Sequence, residues 1–547
     1  MARIEPRILK GFRDYLPEVM IPRTRLLRRI VEVFERYGFD PLDTPSLEYA
    51  EILLGKAGRE AEKLFYRFED QGGRDVALRY ELTISLARVV AQYRNELPRP
   101  FKRYQMGPVW RAESPARGRF REFWQCDVDI VGTDSLLADA ECIAVDYAVM
   151  RALNVPNYVI RFNNRKLYRG LQARIGVSDS AVMDAVMRGI DKFDKVGEAG
   201  VRAELTAQIG SGGLTEAGLD LVFDFLKLAE GKVPSAVCIE KLGAFLKGSE
   251  LGERGCAELR EVYDNAIALG VPDEVLRVDP TIVRGLDYYT GTVFETFLLD
   301  LPGFGSVMSG GRYDGLIGLF AGEEIPAVGI SVGIDRLISA LEELKLLPKA
   351  RSTAAVLVTI FAPETRMYSL RAAAELRRAG VPTELYLDAA AKLGKQLKYA
   401  GKRGFPLVVI AGPEEEKEGV VSLRNMAGGE QSRVPLGQLV QAVQDNYVDP
   451  DPGVATGRSW DWEFRDDMID RVPPVGGVYL LRNGNHDVLK CGWATFGKLP
   501  EAIRDSVSGE QRAEVKAFDW YEVRDDRLSQ MLADFMNEKL NPKFGTA

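Results

Sequence analysis

A block of helix-forming sequence, residues 171–275, separates two strand-rich stretches, 99–133 and 292–334, and this constrains the fold more than any other feature of the chain. The block is rich in Ala, Leu, Glu and Asp, as in Glu216 to Leu228, whereas the second flanking stretch opens on Thr292 to Phe297, rich in Val, Phe and Thr. Strands on both sides join one sheet most simply if the helical block is an insertion within a single sheet domain. With 547 residues the chain exceeds one hydrophobic core, and roughly 100–200 residues per domain implies three or four units. Upstream, residues 23–37 carry apolar positions at helical spacing and stop at Gly38, which predicts an amphipathic helix. After the charged stretch Glu342 to Arg351, apolar strands alternate with helices: Val356–Phe361, Glu364–Ala379, Val381–Leu387, Leu393–Lys402 and Pro406–Ala411. This alternation predicts a small α/β domain with a largely parallel sheet. A Pro/Asp/Gly-rich linker, Asp449 to Gly453, then sets off a last segment. The expected class is α+β, with domains at 1–345 (helical insertion about 171–275), 353–447 and 451–547.

Composition removes several kinds of chemistry. His486 is the single histidine, so no Ser-His-Asp triad, HExxH zinc site or histidine general base can be built upstream of it. The five cysteines form no CxxC pair and are an odd number, which argues against a zinc cluster or a disulfide framework. A net charge of −8 excludes non-specific coating of nucleic acid and confines any such contact to local basic patches. No apolar run reaches the roughly 18 residues of a membrane span. Residues Met1 to Arg7 lack an apolar signal core, so the expected location is cytoplasmic.

Chemistry must therefore run on carboxylates, guanidinium groups and bound phosphate or metal. The run Arg284-Gly285-Leu286-Asp287-Tyr288-Tyr289-Thr290-Gly291 packs a cation, an acid and two phenols where a loop meets the strand Thr292 to Phe297, a usual place to hold a small polar ligand. Residues 100–131 read as a hairpin whose first strand ends near Glu113, with a turn through Ser114 to Gly118 and a second strand from about Arg119. Along that second strand Phe123, Gln125, Asp127 and Asp129 share one face, and Trp124, Cys126, Val128 and Ile130 share the other. Arg111, Arg117, Arg119 and Arg121 crowd the hairpin, and guanidinium forks match phosphate oxygens, so the hairpin reads as a polyphosphate-binding surface. Leu78 to Thr83 adds an acid and a hydroxyl two residues apart, and Gly329 to Arg336 reads as a glycine-bearing strand or loop running into a helix.

Together these segments resemble the three motifs of class II aminoacyl-tRNA synthetases, and specifically the histidyl-tRNA synthetase family, over roughly residues 8–447. Gly38-Phe39 through Thr44-Pro45-Ser46-Leu47-Glu48 is similar to motif 1, the dimer-interface helix and strand. Arg111-Ala112-Glu113 with Arg117 to Phe123 resembles motif 2, and Gly333-Ile334-Asp335-Arg336 resembles motif 3. Arg284 to Tyr289, with Ser309-Gly310-Gly311-Arg312-Tyr313-Asp314, resembles the signature of the histidine enzymes. The resemblance implies a catalytic domain with an antiparallel sheet flanked by helices and a helical insertion, then an α/β anticodon-binding domain. It further implies ATP-dependent activation of L-histidine to the adenylate, release of pyrophosphate, and transfer to the 3′ end of tRNA(His) by a homodimer. By the same resemblance Arg111 would hold the α-phosphate, Phe123 would stack on adenine near Glu113, Arg336 would meet the γ-phosphate, and Arg119 would join the ATP site. Glu81, Leu82, Thr83, Gln125, Asp129, Tyr288 and Tyr289 would grip histidine, with Glu81 near the ammonium and Asp129 facing the imidazole. Arg284 would bind the substrate carboxylate and α-phosphate, a role other class II enzymes give to a metal. The implied cofactor is Mg with ATP and no organic group. Asp129 stands where many bacterial members carry Glu.

Lys392, Lys395, Lys398 and Lys402 recur at helical spacing, giving a basic face that is either simply solvated or suited to phosphates; the resemblance implies tRNA binding there. Residues 451–547 lie outside the common architecture. Gly477-Val478-Tyr479 and Val488 to Gly492 resemble a GIY-YIG nuclease only in short motifs, and Lys490 stands where its second tyrosine would be. A small α/β accessory domain, with Trp460, Trp462, Trp493 and Trp520 as its core, is the expectation instead. Two other readings remain open at this level: a non-catalytic regulatory paralogue that partners ATP phosphoribosyltransferase, and a tRNA-binding scaffold.

Overall fold

A computed structural model describes residues 4–54, 65–115, 118–209, 214–231, 233–283, 288–347, 350–446, 455–457, 469, 477–483, 488–495, 498–522 and 526–540. The chain divides into two compact units, residues 1–13, 30–151 and 155–346, and residues 14–29, 152–154 and 347–547.

The first unit is built on an eight-stranded sheet in the order Asp40–Pro41, Phe101–Trp110, Glu122–Val131, Ala327–Val332, Met308–Arg312, Thr292–Leu298, Tyr158–Asn164, Leu276–Val278. The central strands are antiparallel, and the two outermost pair in parallel. The chain leaves the sheet at Asn164, runs through the helices Lys166–Ile175 to Glu250–Ala268, and returns at Leu276 beside the strand it left. Several of these helices start on a polar cap: Asp179, Thr215 and Ser249 accept the N–H of Ala181, Gly218 and Gly252. A second sheet of three strands, Leu47–Tyr49, Asp75–Leu78 and Arg67–Glu69, precedes the helix Thr83–Gln92.

The long first helix runs Pro17–Arg36 and so begins earlier than the expected residue 23. Pro22 is its sixth residue and lacks the N–H that would reach the Glu18 carbonyl, yet the helix continues through it. The hairpin strands are also shorter than expected, ending at Trp110 and resuming at Glu122, with Phe101 opposite Val131.

The helix Leu137–Ala152 buries an apolar face that includes Cys142, Ile143 and Val149, but also buries Asp139 and Asp146. Asp139 takes the Arg312 guanidinium in a fully buried ion pair, and Arg312 also donates to the carbonyls of Thr133 at 3.1 Å and Ser135 at 3.0 Å. That clamp fixes the end of the Met308–Arg312 strand, and with it Tyr313.

In the second unit a five-stranded sheet has the order Thr383–Leu385, Val356–Val358, Leu407–Ile410, Val420–Asn425, Gln431–Pro435. Only the first three strands are parallel; the last two add antiparallel, which corrects the largely parallel expectation. The cause is a short connection: the helix Pro413–Glu418 reverses the chain instead of crossing over the sheet. A separate antiparallel sheet orders Ala455–Gly457, Ala517–Glu522, Gly477–Arg482 and Val488–Ala494, backed by the helix Asp526–Leu540. Trp520 is buried in its core and Trp493 packs at the edge of a second cluster, whereas Trp460, Trp462 and His486 lie outside the described residues. Lys490 donates to the Ser506 carbonyl at 2.7 Å and so has a structural partner. Among the described residues no helix is long and apolar enough to cross a membrane.

Candidate functional site

One face of the eight-stranded sheet floors a cavity of about 460 Å³. Directly opposed residues on neighbouring antiparallel strands share a face, so register builds the floor in rows. Asp129 lies between Arg103 and Gly329, Asp127 between Gln105 and Ser331, and Gln125 opposite Gly107. Asp129 accepts a hydrogen bond from the Tyr313 hydroxyl, and its Oδ2 stands 2.7 Å from the Arg103 guanidinium without the alignment of a hydrogen bond. Gln125 donates to Ser331 at 3.0 Å. Backbone comes close here: a Cβ on Gly329 would sit 2.0 Å from Asp129 Oδ1, and one on Gly310 would sit 2.0 Å from the Gly329 carbonyl. Only glycine lets these strands approach beneath the acid.

The loop ahead of the Thr83–Gln92 helix supplies one wall. Glu81 accepts the backbone N–H of Thr83 at 3.0 Å and of Ile84 at 2.5 Å, so the carboxylate also caps the helix. Aromatic rings line another wall, Tyr288 against Tyr289 at 4.9 Å and against Tyr313 at 5.8 Å. On the hairpin, the Arg111 guanidinium lies 5.0 Å over the Phe123 ring and donates to the Tyr80 carbonyl at 3.0 Å, which holds cation and ring as one rigid piece. Arg336, in the first turn of the helix Ile334–Glu343, donates to the Ser306 carbonyl at 2.8 Å. Its neighbour Asp335 accepts the Trp124 N–H at 2.7 Å and pairs with Arg13, tying that helix to the hairpin.

Burial dominates the electrostatics. It raises the carboxyls of Glu81 and Asp129, each opposed by its hydrogen bonds or by Arg103, and it pushes Asp127 up to about 7. The cavity thus combines acids in a desolvated floor with arginines on its walls. That arrangement holds a ligand having cationic or N–H donor groups at one end and phosphate at the other.

Of the residues expected from sequence, Glu81, Thr83, Arg111, Glu113, Arg119, Phe123, Gln125, Asp129, Tyr288, Tyr289 and Arg336 all line this cavity. Leu82 does not: it is fully buried in the apolar core, because the side chain between Glu81 and Thr83 falls on the other side of the turn from the cavity. Arg284 and Arg117 lie outside the described residues. Lys392, Lys395 and Lys398 are exposed along the helix Leu393–Arg403 and the residue before it, Lys395 3.2 Å from Asp388. Tyr80, Phe120, Asp127, Ser331 and Asp335 line the cavity without having been singled out as ligands. For Asp127 the signal was present, since alternate spacing places it with Gln125 and Asp129; Ser331 needed the strand register.

A family profile described as Histidyl-tRNA synthetase matches residues 11–337, and one described as Anticodon binding domain matches residues 355–446. The histidine–tRNA ligase of Rhodopirellula baltica is 43% identical over 446 residues, 81% of this chain and 99% of that protein. That of Wolinella succinogenes is 43% identical over 430 residues, 79% of this chain and 96% of its own. The crystal structure of histidyl-tRNA synthetase from a Nostoc species superposes with a TM-score of 0.74 at 34% identity, covering 81% of this chain and 100% of the other.

Proposed function

The chain belongs to the histidyl-tRNA synthetase family, and from that premise we propose how its cavity divides the work of joining histidine to tRNA. The protein is an aminoacyl-tRNA synthetase, a histidine–tRNA ligase whose chemistry depends on ATP. The histidine carboxylate attacks the ATP α-phosphorus and pyrophosphate leaves; the terminal ribose hydroxyl of the tRNA then attacks the acyl carbon and AMP leaves. Bringing two anions together needs fixed positive charge rather than acid–base groups, which suits a cavity without histidine.

In this proposal Arg111 and Arg336 hold the triphosphate, Phe123 stacks on adenine beside Glu113, and Arg119 adds to the phosphate field. Arg284 binds the histidine carboxylate and α-phosphate. Gln125 and Asp129 receive the imidazole between Tyr288 and Tyr289. Glu81 and Thr83 receive the ammonium; the Glu81 oxygens each keep a second lone pair while capping the helix. ATP enters as its magnesium complex. Among the described residues no group of three or more His, Cys, Asp or Glu side chains is placed to hold a metal, so the ion would ride chiefly on phosphate oxygens. Residues 1–345 would form the catalytic domain, 353–447 the anticodon-binding domain with Lys392, Lys395 and Lys398 against tRNA, and 451–547 an accessory domain. The protein would act in the cytoplasm as a homodimer. Support for dimerisation is the exposed apolar face of the three-stranded sheet, where Leu47, Tyr49 and Phe68 stand 40%, 50% and 47% exposed around Val76.

The observation that carries the reading is convergence: segments 80–83, 111–129, 288–313 and 329–336 line one cavity. The regulatory-paralogue reading is less supported, given ligase relatives at 43% identity and the anticodon-binding match at 355–446. Histidine-dependent ATP–pyrophosphate exchange tests the proposal. Exchange should require histidine and fall by about 10²–10³ in Arg111→Ala; exchange that persists in the variant removes Arg111 from the site.

A further inference from the structure

The floor of the cavity holds an acid to which the division of labour above gives no task. Asp127 lies between Gln125 and Asp129 on the cavity face, lines the cavity, and is 3% exposed. Its Oδ1 has no hydrogen-bond partner, and neither has Oε1 of the adjacent Gln125. A buried carboxylate oxygen left without a donor costs the desolvation penalty of that atom. Such an atom, facing a ligand cavity, marks where the ligand supplies the missing donor.

The charges around Asp127 come from every strand and loop packed on it. Arg103 reaches it from the Phe101–Trp110 strand, Arg79 and Glu81 from the loop before the Thr83–Gln92 helix, and Asp129 from its own strand; the Ser331 hydroxyl faces it from Ala327–Val332. Arg103 lies against Asp129, and Arg79 is spent on the carbonyls of Thr44 and Pro108. Arg111 acts on Glu81 from the hairpin, so three acids meet three arginines here, yet Asp127 Oδ1 keeps no hydrogen-bond partner.

Resting on the histidine–tRNA ligase reading, we propose that Asp127 is a specificity-determining residue of the amino-acid subsite, its Oδ1 accepting an imidazole N–H of the bound histidine alongside Asp129. A ring of the same size without an N–H leaves the Asp127 oxygen unpaired, and discrimination follows from that loss.

Ionisation makes the idea testable. Burial pushes the Asp127 carboxyl up to about 7, Arg103 opposes the rise, and Asp129 and Glu81 add to it. Asp127 is then neutral below that pH and a stronger acceptor above it. Asp127→Asn mimics the neutral acid, so the ratio of histidine KM in the variant to that in wild type should stay near one at pH 6 and climb about tenfold by pH 8.5. The substrate's own titration cancels in that ratio. The inhibition constant of 3-(2-thienyl)alanine, whose ring has no N–H, should not change. A pH-independent ratio, or a thienylalanine constant that worsens as much as the histidine KM, would overturn the proposal, since it would signal general disruption or a contact with the ammonium. Ser331→Ala is the second variant: without the hydroxyl that favours the anion, the climb in histidine affinity with pH should move to higher pH, and an unmoved profile counts against the assignment. Wild-type protein with no histidine-dependent exchange would instead defeat the ligase reading on which this rests.

Discussion

Adding a single methyl group at Gly329 tests the site geometry without removing any functional atom. The new Cβ would stand 2.0 Å from Asp129 Oδ1, 2.6 Å from its Cγ and 2.7 Å from the Val128 carbonyl. Nonbonded atoms rest at roughly 3.5 Å, so Asp129 must move by more than an ångström. Leaving its place means leaving the Tyr313 hydroxyl and the Arg103 guanidinium, and both backbones are held in register and cannot give way. Overpacking of this kind costs about 1–3 kcal/mol, and a displacement of an ångström at a reacting site costs about 10²-fold in rate. Gly329→Ala should therefore raise the histidine KM in ATP–pyrophosphate exchange by about 10- to 100-fold while changing the ATP KM about twofold or less. Its melting temperature should fall by roughly 2–10 °C. Gly243→Ala is the control: its Cβ meets nothing within 4 Å inside the helix Ser235–Phe245, so it should leave exchange unchanged and stabilise slightly. Wild-type histidine KM and melting temperature in Gly329→Ala would refute the tight packing of Asp129 against this strand.

Tyr313→Phe removes a hydrogen bond that lowers the Asp129 carboxyl, so that acid should ionise at a higher pH and the acid limb of histidine binding should move up; pH profiles of histidine KM check this, with a loss of about tenfold at neutral pH. Asp146 is fully buried and accepts a hydrogen bond from the Thr296 hydroxyl, and burial pushes its carboxyl from 3.8 to about 7. The native state thus holds a proton that the unfolded chain has lost, and stability falls as pH rises from about 4 to about 7; Asp146→Asn should gain on wild type across that window by up to ~4 kcal/mol in denaturant titrations. Replacing Lys395 and Lys398 by Ala should raise the tRNA KM several-fold, flatten its salt dependence and leave ATP–pyrophosphate exchange untouched. On the proposed dimer, Tyr49→Lys, placed on the exposed apolar sheet face, should leave a monomer where wild type scatters light as a dimer.

Much of the site was legible because strand alternation is local. Gln125, Asp127 and Asp129 are two residues apart, and that spacing alone puts them on one face whatever the strand pairs with. The contact of Arg111 with Phe123 was not legible: strand register sets Phe123 opposite Val109, and the guanidinium reaches the ring only in the folded hairpin. Leu82 shows the limit: it sits between two cavity residues, and only the packed turn reveals that it belongs to the core. The early start of the first helix at Pro17 shows another: the helix runs on through Pro22 despite the missing N–H.

Residue types and local period thus led to the expectation of a sheet domain with a helical insertion and of chemistry run on arginine and carboxylate, while the wider set of candidate ligands came from the resemblance of its motifs. The tertiary structure alone decided what each acid experiences. Arg103 is far in sequence from Gly329, yet register sets them on either side of Asp129, and it is register that leaves Asp127 buried with an unmatched oxygen. Ionisation depends on desolvation and on charges within a few ångströms, and those come from strands that meet only when the sheet closes.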